Sequence, residues 1–429
     1  VNKIKLTANI LFSGIGAQER GFDNSGLFEI DVLTTSDISK ESTLSYAAIH
    51  CGLTEELVKN YLNYPSRKEM ADYLTKINLG YDPQKNKIYN WYKLINKKSN
   101  DLEKYWLACH LSKNRGDISK IEELPYADMW TVSFPCTDVS IAGAMKGLNP
   151  DSGTRSSLLW ENIKLLKKAK ENNELPKYIL FENVKNLVGK KFINDFNNLL
   201  DVMSELGFNT YWKVLNGKDC GIPQHRERVF AMAIRKDIDT GLFTFPKPFD
   251  NGIRLKDVLE TEVDEKYYLS EEVQHKFRLT NNTFMENDYK QPKQVLTSNN
   301  IENVGCLDIK RKDQIKRVYG ENGISPTLNT MQGGNRQPKV IQGQSGTAVL
   351  EKYYIRKLTP KEAWRLMGFS DIDINNCIAI GIKDTHLYAQ AGNSIITNCC
   401  ALIAEHLYQA QYNNTYICFD ENFTNPQMD

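Results

Sequence analysis

Ala8-Asn9-Ile10-Leu11-Phe12-Ser13-Gly14-Ile15-Gly16-Ala17-Gln18-Glu19-Arg20-Gly21-Phe22 reads as a short apolar strand, a tight glycine turn and the opening of a helix. A helix start carries unpaired backbone N–H groups, and glycines leave that backbone bare to a ligand. The turn lacks the full G-x-G-x-x-G spacing, so alone it is a weak signal. A second strand follows over residues 28–34, and then Asp37. A carboxylate at that point either accepts from a ribose diol or caps the helix expected over 39–50.

The strand–helix alternation recurs further along the chain. Gly116-Asp117-Ile118 restarts it, and Met129-Trp130-Thr131-Val132-Ser133-Phe134-Pro135-Cys136 is an apolar run that stops at a proline and a thiol. Proline ends the strand and holds Phe134 extended. The stretch that follows, 137–153, is small, polar and glycine-containing, which suits a loop over the thiol. A lone Pro-Cys is ordinarily a buried, inert cysteine. A helix is expected over 158–168, a strand over 178–181 ending at Glu182-Asn183-Val184, a helix over 196–206 closed by Gly207, and strands over 210–215 and 229–234. The first 240 residues therefore predict an α/β fold with a doubly wound, mostly parallel sheet. The carboxyl ends of such strands share one edge, so Gly14, Asp37, Cys136 and Glu182 are expected to converge there.

A chain of 429 residues suggests two domains, and its formal net charge of +1 hides local asymmetry. Residues 51–115 hold 12 Lys/Arg against 7 Asp/Glu, and residues 308–339 hold 7 against 3. Nine cysteines without a C-x-x-C pair point to neither a disulfide framework nor a zinc site, and no metal ligands are expected. No apolar run is long enough to span a membrane, and Val1-Asn2-Lys3-Ile4-Lys5 lacks the apolar core of a signal peptide. The expected compartment is a reducing cytoplasm.

Residues 53–115 read as a helical insertion, with helical patterns over 55–62, 67–77 and 87–111 and tyrosines and tryptophans among lysines. That interleaving fits either nucleic-acid contact or the core and solvated face of a small subdomain. Beyond Phe245-Pro246-Lys247-Pro248 the alternation fails, giving a second, smaller, irregular β-rich domain over 249–358. Thr359-Pro360-Lys361-Glu362 is a capping box that restores helices over 359–429, completing the first domain.

In this order, the motifs resemble the DNA cytosine-5 methyltransferase family of prokaryotic or phage type, over roughly 300 residues. Phe12-Ser13-Gly14-Ile15-Gly16 is similar to its cofactor loop, Pro135-Cys136 to its nucleophile motif, and Glu182-Asn183-Val184 to its acid motif. Gln224-His225-Arg226-Glu227-Arg228 resembles its paired-arginine motif. Arg356-Lys357-Leu358-Thr359-Pro360 and Gly392-Asn393-Ser394 resemble its C-terminal motifs.

The resemblance implies S-adenosyl-L-methionine as cofactor and double-stranded DNA as substrate. It implies that Cys136 attacks C6 of a flipped cytosine, that Glu182 protonates N3, that Arg228 holds O2, and that Arg226 orients Glu182 or a phosphate. Phe12 would face the adenine, Gly14 and Gly16 would admit the methionine part, Asp37 would take the ribose hydroxyls and Asp117 the adenine amino group. Ile15, Ile38, Ile118, Asn393 and Ser394 would complete that pocket. Thr137, Ser140, Gln314, Arg317, Tyr319, Gln332 and Arg336 are the expected DNA contacts, with Gln314 filling the vacated stack. Gln332 and Arg336 fit base reading or phosphate contact alike.

Two positions depart from the family pattern: Ile10 stands where an acidic residue is usual, and Thr137 where Gln is usual. An RNA (tRNA) cytosine-5 methyltransferase and a catalytically silent DNA-binding homologue share these motifs. The separate polar domain favours DNA, and the intact Cys136, Glu182 and Arg228 favour catalysis. The resemblance also implies a monomer in a restriction-modification, phage or orphan system, with any cognate restriction endonuclease acting separately.

Overall fold

β1 (Ile4–Leu11) pairs in parallel on one side with β2 (Phe28–Ser36) and on the other with β3 (Met129–Val132), and this register organises the protein. The protein is seen here as a computed structural model that describes residues 2–82, 85–135, 158–279, 300–331, 333–343 and 353–417. β4 (Tyr178–Val184) continues the parallel set beside β3. β6 (Glu227–Arg235) then runs antiparallel to both β4 and the edge strand β5 (Phe208–Asn216). The spatial order is β2-β1-β3-β4-β6-β5, a mostly parallel sheet with one reversed strand.

β3 is buried throughout and β4 nearly so, with consecutive residues buried rather than alternating between buried and exposed. That is the signature of strands covered on both faces. One face is covered by α1 (Ala17–Asn24), α2 (Lys40–His50) and helices from the far end of the chain, the other by α6 (Leu159–Glu171) and α7 (Ile193–Leu206). The distant helices are α10 (Pro360–Arg365), α11 (Asp371–Ala379), α12 (Asp384–Asn393) and α13 (Thr397–Tyr412). α13 lies along α1, its Tyr408 and Tyr412 rings meet Phe28, and the Tyr412 hydroxyl is 2.9 Å from that of Tyr178. No helix among the described residues is long and apolar enough to cross a membrane.

The insertion contains α3 (Glu55–Asn60), α4 (Arg67–Lys76) and α5 (Asp101–Leu111). It has a core of its own, with Met70, Leu74, Leu79, Trp91, Leu94 and Leu102 buried, and the Trp91 indole donates to the Leu79 carbonyl at 2.9 Å. Of the aromatic residues among its lysines, Trp91 is core, Tyr64, Tyr73, Tyr89, Tyr105 and Trp106 are half-buried against it, and Tyr92 is exposed. The expected helix over 87–111 is corrected: a single 3-10 turn, Trp91–Leu94, precedes α5. Asn96, Ser99 and Asn100 lie between them, residue types that compete with helical hydrogen bonds.

A second sheet follows, with β7 (Phe277–Leu279), β8 (Asn303–Leu307), β9 (Arg317–Tyr319), β10 (Lys339–Gly343) and β11 (Tyr353–Lys357) in the order β11-β10-β9-β8-β7. Two short helices, α8 (Glu271–Gln274) and α9 (Asp313–Lys316), flank it. Its apolar core is small, Val304, Leu307, Val318 and Ile355, so polar ties matter. The strongest joins β11 to α10. Arg356 and Glu362, both fully buried, pair at 2.6 Å, while Glu362 also accepts from the Thr359 and Glu260 backbone N–H groups. The residue that completes the capping box thus also neutralises a buried guanidinium.

Glu362→Ala would strand that charge, and a loss of about 3–5 kcal/mol of stability is expected. A fall in denaturation midpoint in urea, larger than that of exposed Glu271→Ala, checks it.

Candidate active site

Ser36, Leu11, Val132 and Phe181 lie level across β2, β1, β3 and β4. The next residue in each strand is Asp37, Phe12, Ser133 and Glu182, so parallel register alone brings the expected site residues to one edge. Phe12 turns left-handed there, with φ 56°. That backbone costs a bulky residue about 1–3 kcal/mol and is ordinarily kept only where a site needs it.

Gly14 follows with φ 53°, and a Cβ there would project into open space, so the turn offers bare backbone to a ligand. Its N–H donates to Asp37 Oδ2 at 2.8 Å, and Asp37 Oδ1 accepts from Ser39 N at 2.7 Å. Burial pushes the Asp37 carboxyl above its usual range, against the pull of these two bonds. Asp37 is therefore not the helix cap, a role taken by Ser39. α1 begins at Gly16 with no side-chain cap. An uncapped helix start, an open glycine turn and a half-buried acid form a cradle that suits a nucleoside-linked ligand such as S-adenosylmethionine.

Ile15 and Ile118 are buried, Ile38 is half-buried, and Asp117 is half-buried at the start of a 3-10 turn. Asn393 is exposed at the end of α12, whereas Ser394 is buried and presents its carbonyl to Arg226. Behind the cradle, Glu19, Asp23 and His50 bring three potential ligand atoms within 4.8 Å, a cluster not anticipated from sequence. Tyr46 donates to Glu19, and His50 Nε2 lies 3.2 Å from the Ile15 carbonyl. Burial raises Glu19 to about 7 and lowers His50 to about 3, so the imidazole is uncharged and these groups form a hydrogen-bonded brace under the loop.

At the other end of the edge, Glu182 is 8% exposed, beside an apolar pocket lined by Phe134, Phe181, Phe196 and Val229. Burial pushes its carboxyl above the usual range, while Arg228 and then Arg226 pull it back. Arg228 Nε is 3.3 Å from Glu182 Oε1, as its pairing opposite Val184 dictates.

Of the two expectations for Arg226, orienting Glu182 or a phosphate, the phosphate one is corrected. It is 2% exposed, and its guanidinium donates to the carbonyls of Leu328 (2.9 Å), Gly392 (2.9 Å) and Ser394 (2.7 Å). Buried and committed to three backbones, it stitches β6 to the second sheet's loop and to α12, and acts on Glu182 through its charge.

Cys136 lies outside the described residues, as do Thr137, Ser140 and Gln332. The backbone leading to Cys136 is described. Asn183 Nδ2 donates to the Phe134 carbonyl at 3.0 Å, and Gln18 Nε2 donates to Ser133 Oγ at 2.7 Å. The residue after the acid therefore grips the peptide two residues before the thiol, and α1 grips the hydroxyl of the residue before that. Neither role was evident from sequence, although Asn183 stands within the motif. Gln224 was likewise missed. Fully buried, it donates to the Leu366 carbonyl and accepts from Leu328 N.

On the second sheet, Gln314 and Arg336 are exposed. Arg317 is exposed too but ion-paired with Asp313. Tyr319 is corrected: it is 4% exposed, facing the core from β9, and presents no ring to a partner. Lys339, missed from sequence, is buried and donates to the carbonyls of Ile315, Asn335 and Gln337, tying the Gln314 helix to the Arg336 loop. Burial, and then Lys357, lowers its pKa to about 8.

A family model described as C-5 cytosine-specific DNA methylase matches residues 66–409. The chain is 35% identical to the type II methyltransferase M2.ScrFI of Lactococcus lactis subsp. cremoris, over 93% of this chain and 98% of that protein. It is 28% identical to the orphan methyltransferase M.SPBetaI of Bacillus phage SPbeta, over 95% and 99%. The crystal structure of the S. pombe Dnmt2 methyltransferase aligns with a TM-score of 0.53 at 16% identity, covering 94% of this chain and 98% of that one, a likeness of fold.

Proposed function

Because this chain belongs to the C-5 cytosine-specific DNA methylase family, and is therefore a DNA cytosine methyltransferase, we propose that it methylates C5 of cytosine within a specific duplex sequence. C6 of a stacked base is out of reach of a thiol, so the target nucleotide is turned out of the helix. Cys136 adds through sulfur to C6, and the electron pair displaced from the ring is met by a proton from Glu182 at N3. C5 becomes enamine-like. S-adenosyl-L-methionine, when bound, supplies the electrophilic methyl group that C5 takes up. Loss of the C5 proton to solvent water, as the C6–sulfur bond breaks to release the Cys136 thiolate, then restores the ring, and the N3 proton returns to Glu182.

Arg228 holds the cytosine O2 from the same side as Glu182. Phe12, Gly14, Gly16, Asp37 and Asp117 would hold the cofactor, and the exposed Gln314 and Arg336 would meet DNA. The observation that carries this reading is the Asn183–Phe134 bond, which ties the acid's neighbour to the peptide entering Cys136. The named relatives favour a restriction-modification or orphan setting. In this proposal the chain acts as a monomer and any cognate endonuclease acts separately.

Duplex DNA incubated with methyl-labelled S-adenosylmethionine and digested to nucleosides is expected to carry label only in 5-methyldeoxycytidine, and bisulfite sequencing would give the target. Label confined to tRNA, or to N4-methylcytosine, would sink the proposal.

A further inference from the structure

We propose that the insertion over 53–115 forms a wall of the cofactor site, and that Asn78 is a positioning residue that aims Asp117 at the exocyclic amino group of the purine. The proposal rests on the assignment of Asp117 to that group and extends it to residues outside the family's motifs.

Residues 77–80 reach two of the expected nucleoside contacts at once. Gly80 N donates to the Ile38 carbonyl at 2.7 Å, and Asp117 N donates to the Ile77 carbonyl at 3.0 Å. The approach is close enough that a Cβ on Gly116 would sit 1.9 Å from the Ile77 oxygen. At the insertion's other end, Asn114 bonds both backbone groups of Asp37, its Oδ1 accepting and its Nδ2 donating at 3.0 Å each. The insertion therefore grips Asp37-Ile38 and Gly116-Asp117 from one side.

Side chains complete the argument. Asp117 Oδ1 accepts from Ser119 N (3.0 Å) and Ser119 Oγ (2.8 Å), and Oδ2 accepts from Asn78 Nδ2 at 2.9 Å. An ionised carboxylate offers about four acceptor positions, so Oδ2 keeps one for an incoming N–H. The Asn78 amide cannot turn round without loss, because its Oδ1 accepts from Lys120 Nζ at 2.9 Å while Lys120 also bonds the Lys76 carbonyl. The chain Lys120–Asn78–Asp117 thus fixes which oxygen remains open and where it faces.

Asn78 also has φ 57° just past α4, where Leu79 N donates to the Leu74 carbonyl. An asparagine there serves as an ordinary left-handed helix end. Asn78→Gly separates the two roles, since glycine keeps the left-handed turn and removes the amide. By calorimetry, Asn78→Gly is expected to bind S-adenosylhomocysteine about tenfold more weakly, with an unchanged melting temperature.

An inosyl analogue, in which a carbonyl oxygen replaces the amino group, should change by less than about twofold between the two proteins. The kcat at saturating cofactor and the KM for DNA should hold. Lys120→Met, at an exposed position, should weaken S-adenosylhomocysteine by about threefold. Wild-type affinity in both variants, with Asp117→Ala impaired, overturns the role of Asn78. Wild-type affinity in Asp117→Ala overturns the assignment of Asp117 itself, and the positioning role with it.

Discussion

Cys136→Ser is expected to lose methyl transfer by about ten-thousand-fold or more while still binding duplex DNA and cofactor. A free thiol has a pKa of about 8.5, so a usable fraction is thiolate near neutrality, whereas a serine hydroxyl is not ionised and C6 is too weak an electrophile to capture it. The covalent step gives a direct measurement. DNA with 5-fluorocytosine at the target has no C5 proton to lose, so the C6–sulfur bond persists after methyl transfer and survives a denaturing gel. The wild type should run as a protein–DNA adduct only with cofactor present, and Cys136→Ser should not. If the wild type forms no adduct, the nucleophilic mechanism is wrong, whatever the fate of activity in the variant.

Glu182→Gln is expected to reduce kcat by about a hundred- to ten-thousand-fold, the range typical of a general acid. It should also change the shape of the pH profile. Burial raises the Glu182 carboxyl, and Arg228 and Arg226 oppose that rise. A raised pKa enlarges the protonated fraction at any given pH, which is the form that donates to N3. As pH rises through that pKa, the acid form declines and kcat/KM falls, while thiolate formation at Cys136 acts in the opposite direction. The expected profile is a bell, and Glu182→Gln should lose its alkaline fall. An unchanged alkaline limb in the variant would assign that titration to another group. Arg228→Met makes the complementary case: removal of the nearer positive charge raises the Glu182 pKa further and moves the alkaline limb to higher pH.

Sequence made the sheet legible because buried parallel strands announce themselves as apolar and β-branched runs without polar alternation, and Met129–Val132 and residues 178–181 are such runs. The convergence of Gly14, Asp37 and Glu182 followed from parallel register, which needs no side-chain information. The capping box at Thr359 was legible because its signals are local. What escaped was long-range. Arg226 and Gln224 sit in a motif, yet their hydrogen bonds run to Leu328, Leu366, Gly392 and Ser394, more than a hundred residues away, and no local pattern encodes such partners. Tyr319 was misplaced for a related reason, since on a three-residue strand nothing in the sequence says which face meets the core. Lys339 defied expectation because burial of a lysine is costly unless carbonyls surround it, and those carbonyls come from the fold.

The seating of α13 along α1, with its Tyr412 ring against Phe28, also sets an order of events during synthesis. The helix that follows the cofactor turn is made first, but its covering partner over 397–412 is translated only after the entire second sheet. Until then the turn rests on an uncovered apolar face, and contacts across nearly four hundred residues must close before the edge is in place. Loop closure over such separations is slow, and the half-made sheet is exposed to aggregation meanwhile. A chain terminated before residue 397 therefore leaves the face beneath the glycine turn without its covering helix.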